Sequence, residues 1–188
     1  MIISFNGDHG SGKSTIAKKV AETLKYPRFY MGQMFRDMAK ERNMTVEEFD
    51  KLCKADSSLD KKVDDSVIKL AKENDNFVIE SRTAWHFIPR SIKIYLKVDD
   101  KEAAKRIFKE SNNENRKNES NSFNSEDNIL KSLKNRKIND DKRYMALYSL
   151  DIRKKSNYDF ILDTTNLSIE DVFHKVMEFI NSKQEKNS

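Results

Sequence analysis

The chain has 188 residues, 37% of them hydrophobic and 36% charged, with a net charge of +5. That is enough for one domain with a real core beneath a very polar surface. A basic balance admits a nucleic-acid partner. However, no Lys/Arg block of the length expected for a nucleic-acid tail occurs, so a polyanionic small substrate and a Lys-rich surface are expected instead. The one cysteine, Cys53, excludes an internal disulfide and reads as a small apolar filler in a reducing compartment. Met1 runs directly into an apolar strand, with no room for a signal peptide, and no apolar run approaches the length of a membrane span. The expectation is a soluble, cytoplasmic monomer without membrane contact.

Met1-Ile2-Ile3-Ser4-Phe5-Asn6 is a short apolar run that predicts a buried first strand. Gly7-Asp8-His9-Gly10-Ser11-Gly12-Lys13-Ser14 follows and matches G-x-x-x-x-G-K-[ST], the phosphate-binding P-loop. Ile16, Val20 and Leu24 then recur every four residues with Ala17 and Ala21 beside them, which predicts an apolar helix face. Strand, glycine loop and helix together aim a helix N-terminus at an anion. Gly7, Asp8, His9, Gly10, Ser11, Gly12, Lys13, Ser14 and Thr15 are therefore the expected nucleotide-binding residues. Lys13 would reach the β/γ-phosphates of ATP and the Ser14 hydroxyl would ligate Mg²⁺. At His9 the backbone, not the side chain, is expected to bind.

Arg28-Phe29-Tyr30 predicts a short second strand, and Met31 to Glu41 a helix with Met34, Phe35 and Met38 on one face. Thr45 and Glu48 form a capping box that opens a helix through Phe49 and Leu52. Val63, Val67, Leu70 and Ala71 mark another helix face. Phe77 to Glu80 and Ile92 to Leu96 predict strands three and four, and Ala103, Ala104 and Ile107 the helix after them. From Ser111 to Asn128 the chain is rich in Asn, Ser and Glu, which predicts a mobile excursion. Ile129 to Leu150 resumes a helical pattern, and Asp159 to Asp163 predicts strand five. Ser168 with Asp171 caps a last helix whose face is Val172, Val176, Phe179 and Ile180. The expected division is a single domain with its core at 1–30, 77–107 and 150–182. A helical insert would span about 31–76 and a lid about 108–145. Alternating strands and helices imply a parallel α/β sheet whose ligands bind beyond the strands' C-terminal ends.

Phosphoryl transfer needs positioning and positive charge more than covalent help. Four arginines are candidates. Arg36 lies one turn into the second helix, where solvation is the plainer reading. Arg82 follows the strand-end Glu80 by two residues, in a loop of the kind where binding residues gather. Arg136 and Arg143 flank the excursion seven residues apart, on one helix face, with Arg106 and Lys109 on its other side. Glu80 is either a carboxylate facing water or an outer-shell ligand of Mg²⁺. Asp159 and Asp163 read as turn residues. Trp85, Tyr144 and Tyr148 serve either the core or a nucleotide base. His86 and His174 show no metal-ligand spacing.

These residues together resemble the short, archaeal-type cytidylate (CMP) kinases of the nucleoside monophosphate kinase family. The resemblance runs over Gly10-Ser11-Gly12-Lys13-Ser14-Thr15, Gly32 with Phe35-Arg36 and Met38-Ala39, and Glu80-x-Arg82 with Ala84. It continues through Arg136, Arg143-Tyr144, Tyr148, Tyr158-Asp159 and Asp163-Thr164. It implies a five-stranded parallel sheet of order 2-3-1-4-5 and ATP-dependent, Mg²⁺-assisted transfer to CMP or dCMP. By position, Arg36 and Arg82 would hold the acceptor phosphate, while Arg136 and Arg143 would close on the transferring group. The chain departs from the family's usual pattern at Asp8-His9, at Ser81 and in the length of its Asn-rich segment. The Asp-Gly-Phe-Pro-Arg signature of adenylate kinases and the Asn-Lys-x-Asp motif of GTPases are missing. Two alternatives stay open: a kinase with a hydroxyl acceptor, for which Glu80 is the only base on offer, and a non-catalytic P-loop protein that binds nucleotide or RNA.

Overall fold

A computed structural model describes residues 1–56, 58–110 and 125–185. The elements run β1 (Ile2–Gly7), α1 (Lys13–Leu24), β2 (Arg28–Tyr30), α2 (Met31–Glu41), α3 (Val46–Ala55), α4 (Ser58–Glu73) and β3 (Phe77–Glu80). They continue with α5 (Ala84–Phe87), β4 (Ile92–Lys97), α6 (Asp100–Lys109), α7 (Glu126–Tyr148), β5 (Phe160–Asp163) and α8 (Ile169–Glu185). The strands form one parallel sheet in the order β2-β3-β1-β4-β5, as the resemblance implies.

All six positions of β1 are buried. It is flanked by β3 and β4 and covered on both faces, so its apolar run needs no polar alternation. Ile3 and Phe5 point to a core shared with Ile16 and Val20 of α1 and with Val172, Val176 and Ile180 of α8. Ile2 points the other way, to Met31, Val67, Phe77, Ile79, Ala84 and Ile88. Burying each large apolar side chain contributes roughly 1.5–3 kcal/mol. The parallel register sets Phe5 beside Glu80 and Gly7 beside Leu96. β1 therefore delivers the P-loop to the middle of the sheet's C-terminal rim, next to the end of β3.

A separate apolar cluster of Ala39, Phe49, Cys53 and Leu59 ties α2, α3 and α4 together, with Cys53 as the expected filler. Thr45 and Glu48 make both halves of the capping box at the start of α3. Ser168 and Asp171 exchange the corresponding bonds before α8. On the other side, Ala103, Ala104 and Ile107 of α6 pack on Ile129 and Leu133 of α7.

Most of the expected excursion, 111–124, lies outside the described residues. Its last four residues depart from expectation. The Ser125 hydroxyl accepts the Asn128 N–H at 3.2 Å, so Glu126, Asp127 and Asn128 form the first turn of α7. The short helix α5 was not foreseen either, since four residues are too few for a periodic signal. None of the described helices is long and apolar enough to cross a membrane.

Candidate active site

Beyond the sheet rim lies a cavity of about 800 Å³, lined by the P-loop from His9 to Thr15 and by Arg36, Glu80, Arg82, Arg136 and Arg143. Residues far apart in sequence thus converge on one space. Two expected binders, Gly7 and Asp8, are not among its lining. Gly7 has φ 153° and lies so close to β4 that a Cβ there would meet the Leu96 carbonyl oxygen at 2.2 Å. It sets the loop's departure from the sheet and does not face the cavity. The Asp8 carboxylate is turned to the far side. It accepts from the Tyr95 hydroxyl at 2.9 Å, the Val98 N–H at 3.3 Å and Arg153 Nη1 at 2.8 Å.

The loop itself suits a phosphate. Gly12 has φ 79°, and a Cβ built there would meet no atom within 4 Å, so the turn opens onto free space. The nearby Ser11 hydroxyl is buried and has no hydrogen-bond partner among the described residues. An unsatisfied buried donor beside an open glycine turn fits an anion that arrives with its own acceptors.

Ser14 Oγ donates to Glu80 Oε2 at 2.7 Å. Glu80 is 2% exposed, and its other oxygen accepts Arg28 Nε at 2.8 Å and Nη2 at 2.5 Å. The proton of Ser14 is thereby committed to Glu80, which leaves the hydroxyl's oxygen lone pairs for a cation. No cluster of three or more His, Cys, Asp or Glu suited to a metal occurs among the described residues. A Mg²⁺ ion that keeps its waters and leans on phosphates does not need one.

The arginines are not loose. Arg82 Nη1 donates to the Gly7 carbonyl at 2.6 Å and to Asn6 Oδ1 at 3.2 Å. Its Nη2 meets His9 Nε2 at 2.7 Å and Asp140 Oδ2 at 3.1 Å. Arg143 donates to Asp50 at 2.6 Å through Nη1 and to Asp140 Oδ1 at 3.2 Å through Nη2. Arg36 bonds Gln33 at 3.1 Å and lies 4.8 Å over the Tyr30 ring. Arg106 donates to the carbonyls of Thr164 and Thr165, binding α6 to the segment after β5.

Asp140 is the residue that sequence reading missed. It is 7% exposed and gathers both Arg82 and Arg143. Burial alone would push its carboxyl up. The Arg82 and Arg143 guanidinium groups outweigh that and hold it well below the usual carboxylate range. A signal did exist: Ile129, Leu133, Asp140 and Tyr144 make the buried stripe of α7, and an acid within such a stripe must have a cationic partner. Arg153 was missed too. It joins Asp8 of the P-loop to Asp141 of α7, at 2.8 and 2.7 Å. Burial pushes His9 well below the ordinary imidazole value, and Arg136 and Arg82 add to that lowering.

The aromatic candidates divide. Tyr148 donates to Asp64 at 2.6 Å, and Trp85 Nε1 to the Arg82 carbonyl at 2.9 Å. Both are held by structure, whereas Tyr144 is buried yet lines the cavity. Asp163 accepts the Thr165 N–H two residues on, as a turn residue does, whereas Asp159 accepts the Lys93 N–H of β4, 66 positions away.

Residues 3–131 match the family model described as an AAA domain. The cytidylate kinase of Pyrobaculum calidifontis is 35% identical, with 100% of this chain and 98% of that protein covered. That of Methanosphaera stadtmanae is 30% identical, with 98% and 100% covered. The shikimate kinase of Bacteroides thetaiotaomicron, at 16% identity and a TM-score of 0.64 over 96% of this chain and 98% of that one, shares the fold. With a P-loop at the sheet centre and end-to-end similarity to these archaeal enzymes, the chain belongs to the cytidylate kinase family of P-loop kinases.

Proposed function

We propose that the protein transfers the γ-phosphoryl group of ATP to a nucleoside monophosphate, with CMP or dCMP as the acceptor. The observation that carries this reading is the convergence of Lys13, Ser14 and five arginines, Arg36, Arg82, Arg136 and Arg143 among them, on one cavity, in a chain that matches archaeal cytidylate kinases along its whole length. The acceptor phosphate is already an oxyanion at neutral pH, so the reaction needs charge and alignment and no general base.

In this reading the P-loop amides and Lys13 hold the donor phosphates. Ser14 would hold Mg²⁺, with Glu80 one hydrogen bond behind it, and the ion would supply positive charge to the donor phosphates. Arg36 and Arg82 take the acceptor phosphate from the side of α2 and β3. Arg136 and Arg143, on α7, face the transferring group. The helices α2 to α4 form the acceptor side, and α7 is the arm of the lid. Asp140 holds Arg82 and, with Asp50, Arg143 until phosphates replace these carboxylates as counter-anions.

A hydroxyl acceptor is less well served. It would need a carboxylate base, and both oxygens of Glu80 are engaged, by Arg28 and Ser14. The test is a panel of nucleoside monophosphates and small hydroxyl acceptors with Mg-ATP, scored for ADP release. Turnover with CMP or dCMP above the rest is expected. Turnover only with a hydroxyl acceptor would overturn the reading, and binding of ATP without any turnover would assign a regulatory role.

A further inference from the structure

His9 stands in the P-loop and lines the cavity, where its side chain meets Arg82. Arg82 approaches it from the loop after β3, and Asp140 and Arg136 face it from α7. A small crevice on its other side is lined by Asp8, Asp100 of α6, Lys137 of α7 and Arg153. The contact that matters is Arg82 Nη2 to His9 Nε2, at 2.7 Å. A guanidinium only donates. His9 Nε2 must therefore be the acceptor, which assigns the ring as the neutral Nδ1–H tautomer.

We propose that His9 is a positioning residue for Arg82: its neutral imidazole fixes the Nη2 edge of the guanidinium against the P-loop without cancelling its charge. This rests on the reading that Arg82 serves the acceptor phosphate. Arg82 makes hydrogen bonds to Asn6, Gly7 and His9, and its Nη2 forms an ion pair with the Asp140 carboxylate at 3.1 Å. Asp140 is an anion and competes with a phosphate for the guanidinium. His9 is not, so it can keep its bond when a phosphate displaces Asp140. The imidazole thereby links the loop that holds the donor nucleotide to the cation that meets the acceptor, across 73 positions of sequence. A protonated ring could not do this. Its Nε2–H would face a guanidinium, and only Asp140, at 3.6 Å, could accept from it.

The test uses His9→Phe, His9→Gln, Arg82→Ala and the His9→Phe/Arg82→Ala double variant of the full chain, with thermal midpoints recorded for each. His9→Phe is expected to raise the KM for CMP about tenfold, the scale of a lost hydrogen bond to a charged group, while the KM for ATP stays within about threefold. His9→Gln, which keeps an acceptor oxygen, is expected to recover most of the loss. In the Arg82→Ala background His9→Phe should add less than about twofold, because its partner is already gone. Independently of turnover, ¹⁵N NMR of the imidazole should show a bare Nε2 and a protonated Nδ1, with His9→Gln identifying the signal. An Nε2–H tautomer, an equal rise in both KM values, or full multiplication of the two effects would each overturn the proposal. An unchanged CMP KM in Arg82→Ala would instead overturn the acceptor role of Arg82, and the His9 role with it. Should His9→Phe fail to fold, His9→Ala makes the same comparison without the added ring.

Discussion

Ser14 at the start of α1 and Glu80 at the end of β3 are 66 positions apart and meet through a 2.7 Å hydrogen bond. Parallel pairing of β1 with β3 brings them together, since Phe5 and Glu80 are register partners. The same carboxylate neutralises Arg28, so it serves the Ser14 hydroxyl and the sheet at once. Glu80→Gln should raise the Mg²⁺ concentration needed for half-maximal activity several-fold and lower the thermal midpoint, because Arg28 is left without its counter-charge. A Mg²⁺ titration and a melting curve check both. An unchanged Mg²⁺ dependence would remove Glu80 from the metal side.

Lys13→Ala should abolish turnover, since the β/γ-phosphates lose their cation where charge shifts during transfer. Near-normal kcat would take the P-loop out of the mechanism. The fold should survive: the packed core beneath the loop is built from Ile3, Phe5, Ile16 and Val20, and circular dichroism of the variant tests that.

Arg36→Ala and Arg82→Ala should each raise the acceptor KM far more than the ATP KM. A charge-assisted contact to phosphate contributes about 1.5–3 kcal/mol, or about ten- to a hundredfold in kcat/KM. The two variants should differ in stability. Arg36 bonds within its own helix, to Gln33, whereas removing Arg82 deprives the buried Asp140 of a partner. Steady-state kinetics and thermal midpoints on both variants separate the two effects. Equal losses in ATP and acceptor affinity would contradict the assignment.

Arg136→Ala and Arg143→Ala should cut kcat severely while ATP affinity stays within a few-fold, because contacts to the transferring group form chiefly in the closed complex. Arg143→Ala should also melt earlier, since Asp50 and Asp140 both lose its guanidinium. Unimpaired kcat in both variants would sink the lid role of α7.

Acidification should destabilise the protein through His9. Its folded pKa lies well below the ordinary imidazole value of 6.5, held there by burial, Arg136 and Arg82. A depressed value means that the folded state favours the neutral ring. The associated stability is therefore fully present above pH 6.5 and is lost as the pH falls below it, where the unfolded chain takes up a proton first. The charged groups about the ring are Arg82, Arg136 and Asp140, with Lys137, Asp100 and Arg153 beyond. The thermal midpoint should fall between pH 7 and about pH 5, and His9→Gln should flatten that slope. An identical slope in the variant would show that other groups cause the acid sensitivity.

Much of this protein was legible locally. The apolar run of β1, the P-loop, the Thr45–Glu48 capping box and the Ser168–Asp171 cap are all short-range patterns, and each is in place. The sheet order came from the resemblance and not from periodicity, because a one-dimensional pattern carries no record of which strands are neighbours. Which P-loop side chains face the cavity was decided only by the tertiary structure. Gly7 and Asp8 are drawn to β4 by the Leu96 carbonyl and Tyr95, while His9 turns to Arg82. Asp140, Asp50 and Arg153 acquire meaning in the same way. A buried charge must find an opposite charge, and apart from the Asp140–Arg143 pair within α7 the partners of these three lie 12 to 145 positions away in the chain. Sequence determined that the chain would hold a nucleotide phosphate at the first glycine loop. Only the folded arrangement determined how its arginines are held in readiness, because that depends on long-range pairing between charges removed from water.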